Sequence, residues 1–329
     1  MTASQEIQYL LPPSVKLNLF APDAYETRLS QIMQDISEIE RAQATLIGVP
    51  FDGAIPLGRA GCRFGPRAVR EAMATKISYN PDLDVDLAEN FVIVDAGDVD
   101  IVNTNVLESH KRIESVVTDL LKFPGVPVII GGDHSISYPG AKAVCNRVKG
   151  NVGVIVFDAH YDVRVSHHGE ISSGTPFRRM LEEIQGGRIK AKNLVEIGLR
   201  SFYNSGPYHK YVKEQGIRVF PATTVHERGI DSVLKEGIEY AKDGTDALYV
   251  TVDVDGLDQT IAPGTNVPSI GGLTGPQIMK ALFELGKDTA VKAFDFVEVS
   301  PPLDINNLTA NTGAEVVLAF IAGVSRRKR

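Results

Sequence analysis

Short, uniformly apolar runs alternate along this chain with longer segments whose apolar residues recur every three or four positions. The short runs, 44–49, 91–94, 126–130, 152–157, 194–197, 217–220, 247–252 and 291–296, have the length and β-branched content of strands. Several are apolar at consecutive positions, as in Val126-Pro127-Val128-Ile129-Ile130, which fits a parallel-sheet strand covered on both faces. The segments 66–76, 105–122, 138–148, 176–185, 208–215, 231–242, 274–285 and 311–323 predict helices. Regular alternation of the two predicts an α/β fold, a mostly parallel sheet flanked by helices. On pattern alone, eight strands also allow a closed barrel. Leu29, Ile32, Met33, Ile36 and Ile39 stand at helical spacing and predict a helical N-terminal extension over 1–43. There is no linker, repeat or low-complexity run, so 1–329 reads as one domain.

Three of the predicted strands end in polar runs: Gly-Gly-Asp-His-Ser (131–135), Asp-Ala-His-Tyr-Asp (158–162) and Asp-Val-Asp (253–255). In extended backbone, side chains at i, i+2 and i+4 share a face. Asp158, His160 and Asp162 can therefore converge, as can Asp253 and Asp255, with His134 beside them. Four carboxylates and two imidazoles in one place repel one another unless cations intervene. Two divalent ions would neutralise the four carboxylates. Carboxylate and imidazole donors without thiolate favour a hard ion such as manganese over a cysteine-built structural zinc. Two ions sharing a water lower its pKa towards neutrality and make it a nucleophile for a planar carbon or for phosphorus. A further acid, Glu298, stands at the end of the last strand. Long Gly-containing loops, 50–66, 161–176 and 255–275, lie where an open α/β sheet binds its ligands.

Net charge changes the picture by exclusion. At −7, the chain is a poor partner for nucleic acid or an anionic membrane surface, and only the tail Arg326-Arg327-Lys328-Arg329 is basic, reading as a solvated end. Cys62 and Cys145 are isolated and read as free thiols of a reducing compartment. No run of apolar residues reaches the roughly 18 needed to span a membrane, and no signal peptide opens the chain, so a cytoplasmic location is expected.

The motifs around these residues resemble those of the ureohydrolases, the arginase and agmatinase family. The resemblance rests on Gly131-Gly-Asp-His-Ser135, Phe157-Asp-Ala-His-Tyr-Asp162, Val252-Asp-Val-Asp-Gly-Leu-Asp258 and Val297-Glu-Val-Ser-Pro301. Gly61-Cys-Arg-Phe-Gly-Pro-Arg-Ala-Val-Arg70, Ile197-Gly-Leu-Arg200 and Ala262-Pro-Gly-Thr265 extend it, and it runs from about 44 to 322. It implies a three-layer α/β/α sandwich with an eight-stranded, mostly parallel sheet rather than a barrel. It also implies two Mn2+ per subunit, hydrolysis of a C–N bond in an amidine or guanidino substrate, and a homo-oligomer, trimer or hexamer. Carried over by motif, His134, Asp158, Asp162 and Asp253 would hold one ion, and Asp158, His160, Asp253 and Asp255 the other. Glu298 would hold the substrate amidinium. Asp133 and Asp258 would be outer acceptors that orient ligands, although Asp258 could equally cap a turn.

One run separates the branches of this family. In Asp162-Val-Arg-Val-Ser-His-His-Gly-Glu-Ile-Ser-Ser-Gly-Thr-Pro-Phe-Arg-Arg-Met180, Ser173 stands where arginases and agmatinases usually carry a proton-shuttling histidine. Ser-Ser-Gly-Thr-Pro-Phe-Arg with Asp-Val-Arg, and Tyr203-Asn204-Ser205, are similar to the formimidoylglutamases. The substrate so implied is N-formimidoyl-L-glutamate, cleaved to L-glutamate and formamide. Its carboxylates call for an arginine, and Arg164 sits two residues past a ligand, in the loop that should cover the substrate tail. Ser173 lies in the same wall, and Arg178 and Arg179 are reserves. Asp162 could relay a proton to the leaving amine, and His167 or His168 could replace the loop histidine. Arg164 would repel the cationic tail of agmatine. It would tolerate a guanidino acid, so an agmatinase- or guanidinobutyrase-like release of urea is the second reading. A metal-stabilised binding subunit and a two-metal phosphatase are further readings. All ligand positions being present weighs against the first, and Glu298, which would repel phosphate, against the second.

Overall fold

In the computed structural model, which describes residues 8–11 and 23–328, all eight apolar runs are strands. They are β1 (Ala44–Gly48), β2 (Ile93–Val99), β3 (Val126–Ile130), β4 (Val152–Phe157), β5 (Leu194–Leu199), β6 (Arg218–Pro221), β7 (Ala247–Asp253) and β8 (Val291–Val297). They form one open sheet in the order 2-1-3-8-7-4-5-6, and every pairing among them is parallel. A two-residue strand, Leu10–Leu11, adds a ninth member, antiparallel on the outer edge of β2. The sheet does not close, so the barrel is excluded.

Neighbouring residues of one strand go to opposite faces, and both faces are buried. Val128 and Ile130 pack with Val69 and Met73 of α1 (Gly65–Ala74) and Phe320 of the last helix, while Ile129 packs with Ile113 and Val117 of α2 (Val106–Leu120). Further along the sheet, Ile155 and Phe157 face the first layer. Val154 and Val156 face the second, against Val144 of α3 (Ser137–Arg147) and Phe177 of α4 (Pro176–Glu183). This double burial is why the strands read as continuous apolar runs rather than alternating ones. Each fully buried Val, Ile or Phe contributes about 1.5–3 kcal/mol relative to exposure.

The remaining helices are α5 (Gly206–Gln215), α6 (Ile230–Lys242), α7 (Gly275–Lys287) and α8 (Leu308–Ser325), with a short helix Ala222–Arg228 before α6. α8 meets the length and hydropathy of a membrane span, contrary to the expectation from sequence. However, 72% of it is buried inside the protein, so it is a core helix. Arg327, expected at a solvated end, instead donates to the carbonyls of Gly286 (2.7 Å) and Val291 (3.1 Å).

The N-terminal extension is not one helix. Residues 1–7 and 12–22 lie outside the described residues. The apolar spacing that suggested a helix is split between Leu29–Ile32 and a 3-10 turn, Ile36–Arg41. The break comes at Gln34, which bridges to Val94: its N–H donates to Ile93 (2.8 Å) and its carbonyl accepts from Asp95 (2.9 Å). Asp35 then caps the new turn through Ser37 N–H (2.9 Å).

One buried ion group ties α1 to β2. Arg70, only 2% exposed, donates to both oxygens of Asp95 (2.9 Å each), to Asp98 (2.5 Å) and to the carbonyl of Gly97 (2.7 Å). Removing the cation leaves two carboxylates buried without it. Arg70→Met is expected to destabilise the fold by about 3–5 kcal/mol, read from urea unfolding; a change below ~1 kcal/mol would contradict this account.

Candidate metal centre

Four adjacent central strands, β3, β8, β7 and β4, end at the same place. His134 follows β3, Glu298 follows β8, Asp253 closes β7 with Asp255 beyond it, and Asp158, His160 and Asp162 follow β4. Residues 134 and 158 are close in sequence, yet β8 and β7 from the C-terminal part of the chain lie between their strands. Gly132 permits the approach of the β3 loop to its neighbour. A Cβ there would stand 1.6 Å from the Phe51 carbonyl oxygen.

The six expected ligand residues do converge. His134 Nδ1 lies 3.1 Å from Asp158 Oδ2, 3.1 Å from Asp162 Oδ2 and 3.2 Å from Asp253 Oδ2. His160 Nδ1 lies 3.4 Å from Asp158 Oδ1 and 3.2 Å from Asp255 Oδ2. Two groups result, His134–Asp158–Asp162–Asp253 and Asp158–His160–Asp255, each with its ligand atoms within 4.8 Å of one another. Asp158 belongs to both. Asp253 falls only in the first, whereas the motif resemblance places it in both.

The donor set fits cations rather than an internal salt bridge. His134 Nε2 is 3.0 Å from Thr251 Oγ1, which also contacts Ser137 Oγ and the carboxyl of Asp295. With its proton on that side, His134 presents an Nδ1 lone pair to three carboxylate oxygens, four acceptors around one point. Burial alone would lower the His134 imidazolium, but the three carboxylates outweigh it and hold its pKa well above the usual value. Burial, then the charges of Asp255 and Asp158, push Asp253 well above the carboxylate range. Burial, then Asp158, push Asp162 up to about 6. In both ways the cluster takes protons where cations are absent.

Backbone strain marks two of these residues. Asp162 (φ 43°) and Glu298 (φ 67°) occupy the left-handed region that non-glycine residues avoid. At Glu298 the turn aims Oε1 at the N–H of His134 (2.8 Å), while Oε2 is buried without a hydrogen-bond partner among the described residues.

The ligands open into a cleft of about 100 Å3 lined by Pro56, Leu57, Arg164, His167, Ser173 and Glu298, among others. Arg164 is half-buried there with no carboxylate partner among the described residues, its guanidinium 5.5 Å over the Tyr208 ring. Ser173 lies in the wall, its N–H on the Ala54 carbonyl (2.9 Å). A larger groove of about 760 Å3 between Asp84, Glu89 and the C-terminal arginines lies away from all these residues and holds no cluster of ligand type among the described residues.

Other expected site residues go elsewhere. Arg178 does not line the cleft: Glu182 takes its Nε at 2.9 Å and it stacks on Tyr211 at 4.0 Å. Arg179 turns into the protein, towards Glu183 and His110. His167 is half-buried in the lining of the cleft. His168 is exposed in the adjoining turn, where His167 and Glu170 exchange backbone hydrogen bonds at 2.9 Å. Asp258 caps its own loop through Thr260, Gly271 and Gly272, whereas Asp133 does sit behind a ligand, accepting from Ala54 N–H (2.9 Å) and Ser135 N–H (3.0 Å). Asn204 clamps the carbonyls of Ala159 (2.8 Å) and Arg200 (2.7 Å), so its amide is occupied in holding the β4 loop.

The sequence reading missed a polar layer one row below the ligands. Thr251 is in register with Val156 and Asp295, and Val156 with Glu196. Tyr249 donates to Asp295, while both oxygens of Glu196 are without hydrogen-bond partners among the described residues and burial pushes its pKa well above the usual value. The signal available was a single acid inside an apolar strand, Val195-Glu196-Ile197 and Phe294-Asp295-Phe296.

Comparison with known proteins agrees with this geometry. Residues 42–323 match the model of the arginase family. The formimidoylglutamase of Halalkalibacterium halodurans is 38% identical over 280 residues, 84% of this chain and 86% of that one. The crystal structure of formimidoylglutamase from Bacillus subtilis superposes with a TM-score of 0.87 at 32% identity, covering 94% of this chain and 95% of that one. Trypanosoma cruzi formiminoglutamase with Mn2+ gives 0.84 at 28% identity, covering 92% and 100%.

Proposed function

The chain belongs to the arginase family and is a binuclear manganese hydrolase of C–N bonds, and from that premise we propose that its substrate is N-formimidoyl-L-glutamate, released as L-glutamate and formamide. Arg164 carries the choice. It is a half-buried cation without an acidic partner among the described residues, on the wall of the cleft that holds the ligands and Glu298. An acid-tailed amidine presents its cation to Glu298 and a carboxylate to Arg164.

His134, Asp158, Asp162 and Asp253 would hold one manganese ion, and Asp158, His160 and Asp255 the other. Bound there, the two ions supply a water-derived nucleophile at neutral pH and stabilise charge developing at the attacked carbon. Glu298 fixes the amidinium so that this carbon faces the ligand cluster. Asp162, with a side chain 14% exposed on the cleft side, is placed to hand a proton to the leaving amine of glutamate. His167, in the lining of the cleft, is assigned as the counterpart of the histidine that Ser173 replaces. The same reading carries the expected trimer or hexamer, a cytoplasmic location, and no nucleic-acid or membrane partner.

A guanidino acid is the second reading, since Arg164 would serve its tail equally. Turnover of manganese-loaded protein should be scored for formamide, glutamate and urea on formimidoylglutamate, agmatine, arginine, 4-guanidinobutyrate and 3-guanidinopropionate. Glutamate with formamide is expected; urea as the main product would move the substrate to the guanidino class. Arg164→Ala should raise KM for formimidoylglutamate by about 10–100-fold, the value of a charged hydrogen bond, with manganese content unchanged. An unaltered KM would remove Arg164 from the substrate.

A further inference from the structure

Behind the metal-binding loop runs a file of hydrogen bonds that the proposed chemistry leaves unused. It begins at Arg179 of α4, which pairs with Glu183 (2.8 Å) and lies over the Tyr138 ring (3.8 Å). Its Nη1 is 3.1 Å from Nδ1 of His110, on α2. A guanidinium only donates, so His110 Nδ1 must accept and carries no proton. The single proton of the neutral ring is then on Nε2, 3.0 Å from Ser135 Oγ, to which it donates. Burial, with the charge of Arg179, drives the His110 pKa down to about 3, which keeps the ring neutral. Ser135 Oγ has its own proton left to give, and Asp133 Oδ1 is 2.5 Å away. The other oxygen of Asp133 accepts from Ala54 N–H at 2.9 Å, and the Ala54 carbonyl accepts from Ser173 N–H at 2.9 Å.

Every bond in this file has one allowed direction, from Arg179 through His110 and Ser135 to Asp133. Its end straddles His134, since Asp133 and Ser135 are its two chain neighbours. It also reaches the Ala54–Ser173 wall of the cleft. His110 is 4% exposed, with the Phe51 ring edge-on at 6.0 Å; among the described residues its ring nitrogens are engaged by Arg179 and Ser135 rather than by a ligand, and it is not part of the cleft lining. We infer that His110 is a positioning residue, whose fixed tautomer orients Ser135 and Asp133 and thereby sets both the His134 ligand loop and the Ser173 wall. The inference rests on the metal-centre reading. A polar file kept only for stability would do as well with apolar side chains of similar volume; this one instead converges on the two loops that build the site.

The test compares four variants by manganese titration followed by electron paramagnetic resonance, by KM on the substrate found in the product screen, and by the thermal midpoint of the metal-free protein. His110→Phe and Ser135→Ala should each weaken manganese binding by about 10–100-fold and raise KM, as loss of an outer partner does at metal sites. His110→Gln, whose terminal amide reaches the place of the imidazole Nε2, should recover most of the affinity. His110→Asn, which reaches Arg179 but not Ser135, should not. Equal recovery by Gln and Asn would overturn the directional argument. Ser135→Ala removes one atom and keeps the test open where His110→Phe does not fold; wild-type affinity and KM in Ser135→Ala would overturn the inference. A wild-type protein that binds no manganese would overturn the metal reading and this inference together. In the metal-free protein, nitrogen–proton correlation should show His110 protonated at Nε2 alone; a proton at Nδ1 would also defeat it.

Discussion

Asp253→Asn is expected to lower turnover by at least about 10³-fold, beyond the 10–100-fold loss typical of a partner one step removed from a metal. The metal-free variant should nevertheless be no less stable than the metal-free wild type. The reason is that Asp253 works against the fold until cations arrive. It is 3% exposed, with one oxygen 3.2 Å from His134 Nδ1 and the other capping the following turn through Asp255 N–H (2.8 Å). An asparagine oxygen keeps the cap and removes the charge. Manganese at 100 times its dissociation constant should add about 2.7 kcal/mol to the wild type and much less to the variant. Thermal midpoints with and without manganese check this. A variant that turns over and still gains stability from the metal would exclude Asp253 as a ligand.

The same groups fix the sign of the pH dependence. Burial first, then neighbouring charges, raise Asp253 and Asp162, the latter to about 6. A carboxyl raised on folding weakens the fold progressively as pH climbs from its unfolded value near 4 to its folded one. His134 and His160 are lowered by burial but raised more by the carboxylates facing them. The stability they contribute is complete below about 6.5 and is lost as pH rises through their folded values. Asp158 runs the other way: burial raises it, the two imidazoles more than reverse that, and its contribution is already complete by about pH 5. Between pH 5 and 8 the metal-free protein should therefore lose stability as pH rises. The increment from manganese should grow over the same range, because the metal replaces protons that are then easier to remove. A metal increment that shrinks towards pH 8 would be inconsistent with this site.

What the sequence made legible was what burial makes regular. Val126–Ile130 and Val152–Phe157 stand out because both faces are covered, and the ligands stand out because Asp158, His160 and Asp162 fall at alternate positions past a strand end. That β8 and β7 lie between β3 and β4 has no local signature; it is a property of the whole topology. The N-terminal spacing failed because Ile36 and Ile39, three apart, suit a 3-10 turn as well as an α-helix, and a single sheet bridge at Gln34 decides between them. Arg178 carried a local warning in Glu182, four residues on, the spacing at which helix side chains pair. His110 carried none: one histidine on an amphipathic helix is uninformative until Arg179 and Ser135 are brought against its two nitrogens. Glu196 and Asp295 were visible only as interruptions of apolar strands, whose meaning depends on the row of ligands above them.

Glu298→Gln should cost about 10²–10³-fold in kcat/KM while leaving manganese content at the wild-type value. The separation follows from how the side chain is held. Its backbone is pinned by the N–H bond to Gly132 (2.8 Å) and by a positive φ, and Oε1 is engaged by His134 N–H (2.8 Å). Glutamine keeps that bond through its amide oxygen, so the ligand loop stays in place. What disappears is the charge on the cleft side, where Oε2 has no hydrogen-bond partner among the described residues. A buried carboxylate meeting an amidinium forms a pair whose disruption costs roughly 2–5 kcal/mol, and each ~1.4 kcal/mol is tenfold. Glu298→Asp keeps the charge and withdraws it by one methylene, so a comparable loss there would show that position matters as well as charge. The loss in Glu298→Gln should fall on every amidine or guanidine substrate, since all present a cation to this residue. The loss in Arg164→Ala should fall only on those with an acidic tail. A Glu298→Gln enzyme with wild-type kcat/KM would mean that the cation binds elsewhere, and with it the orientation assigned to the substrate would reverse.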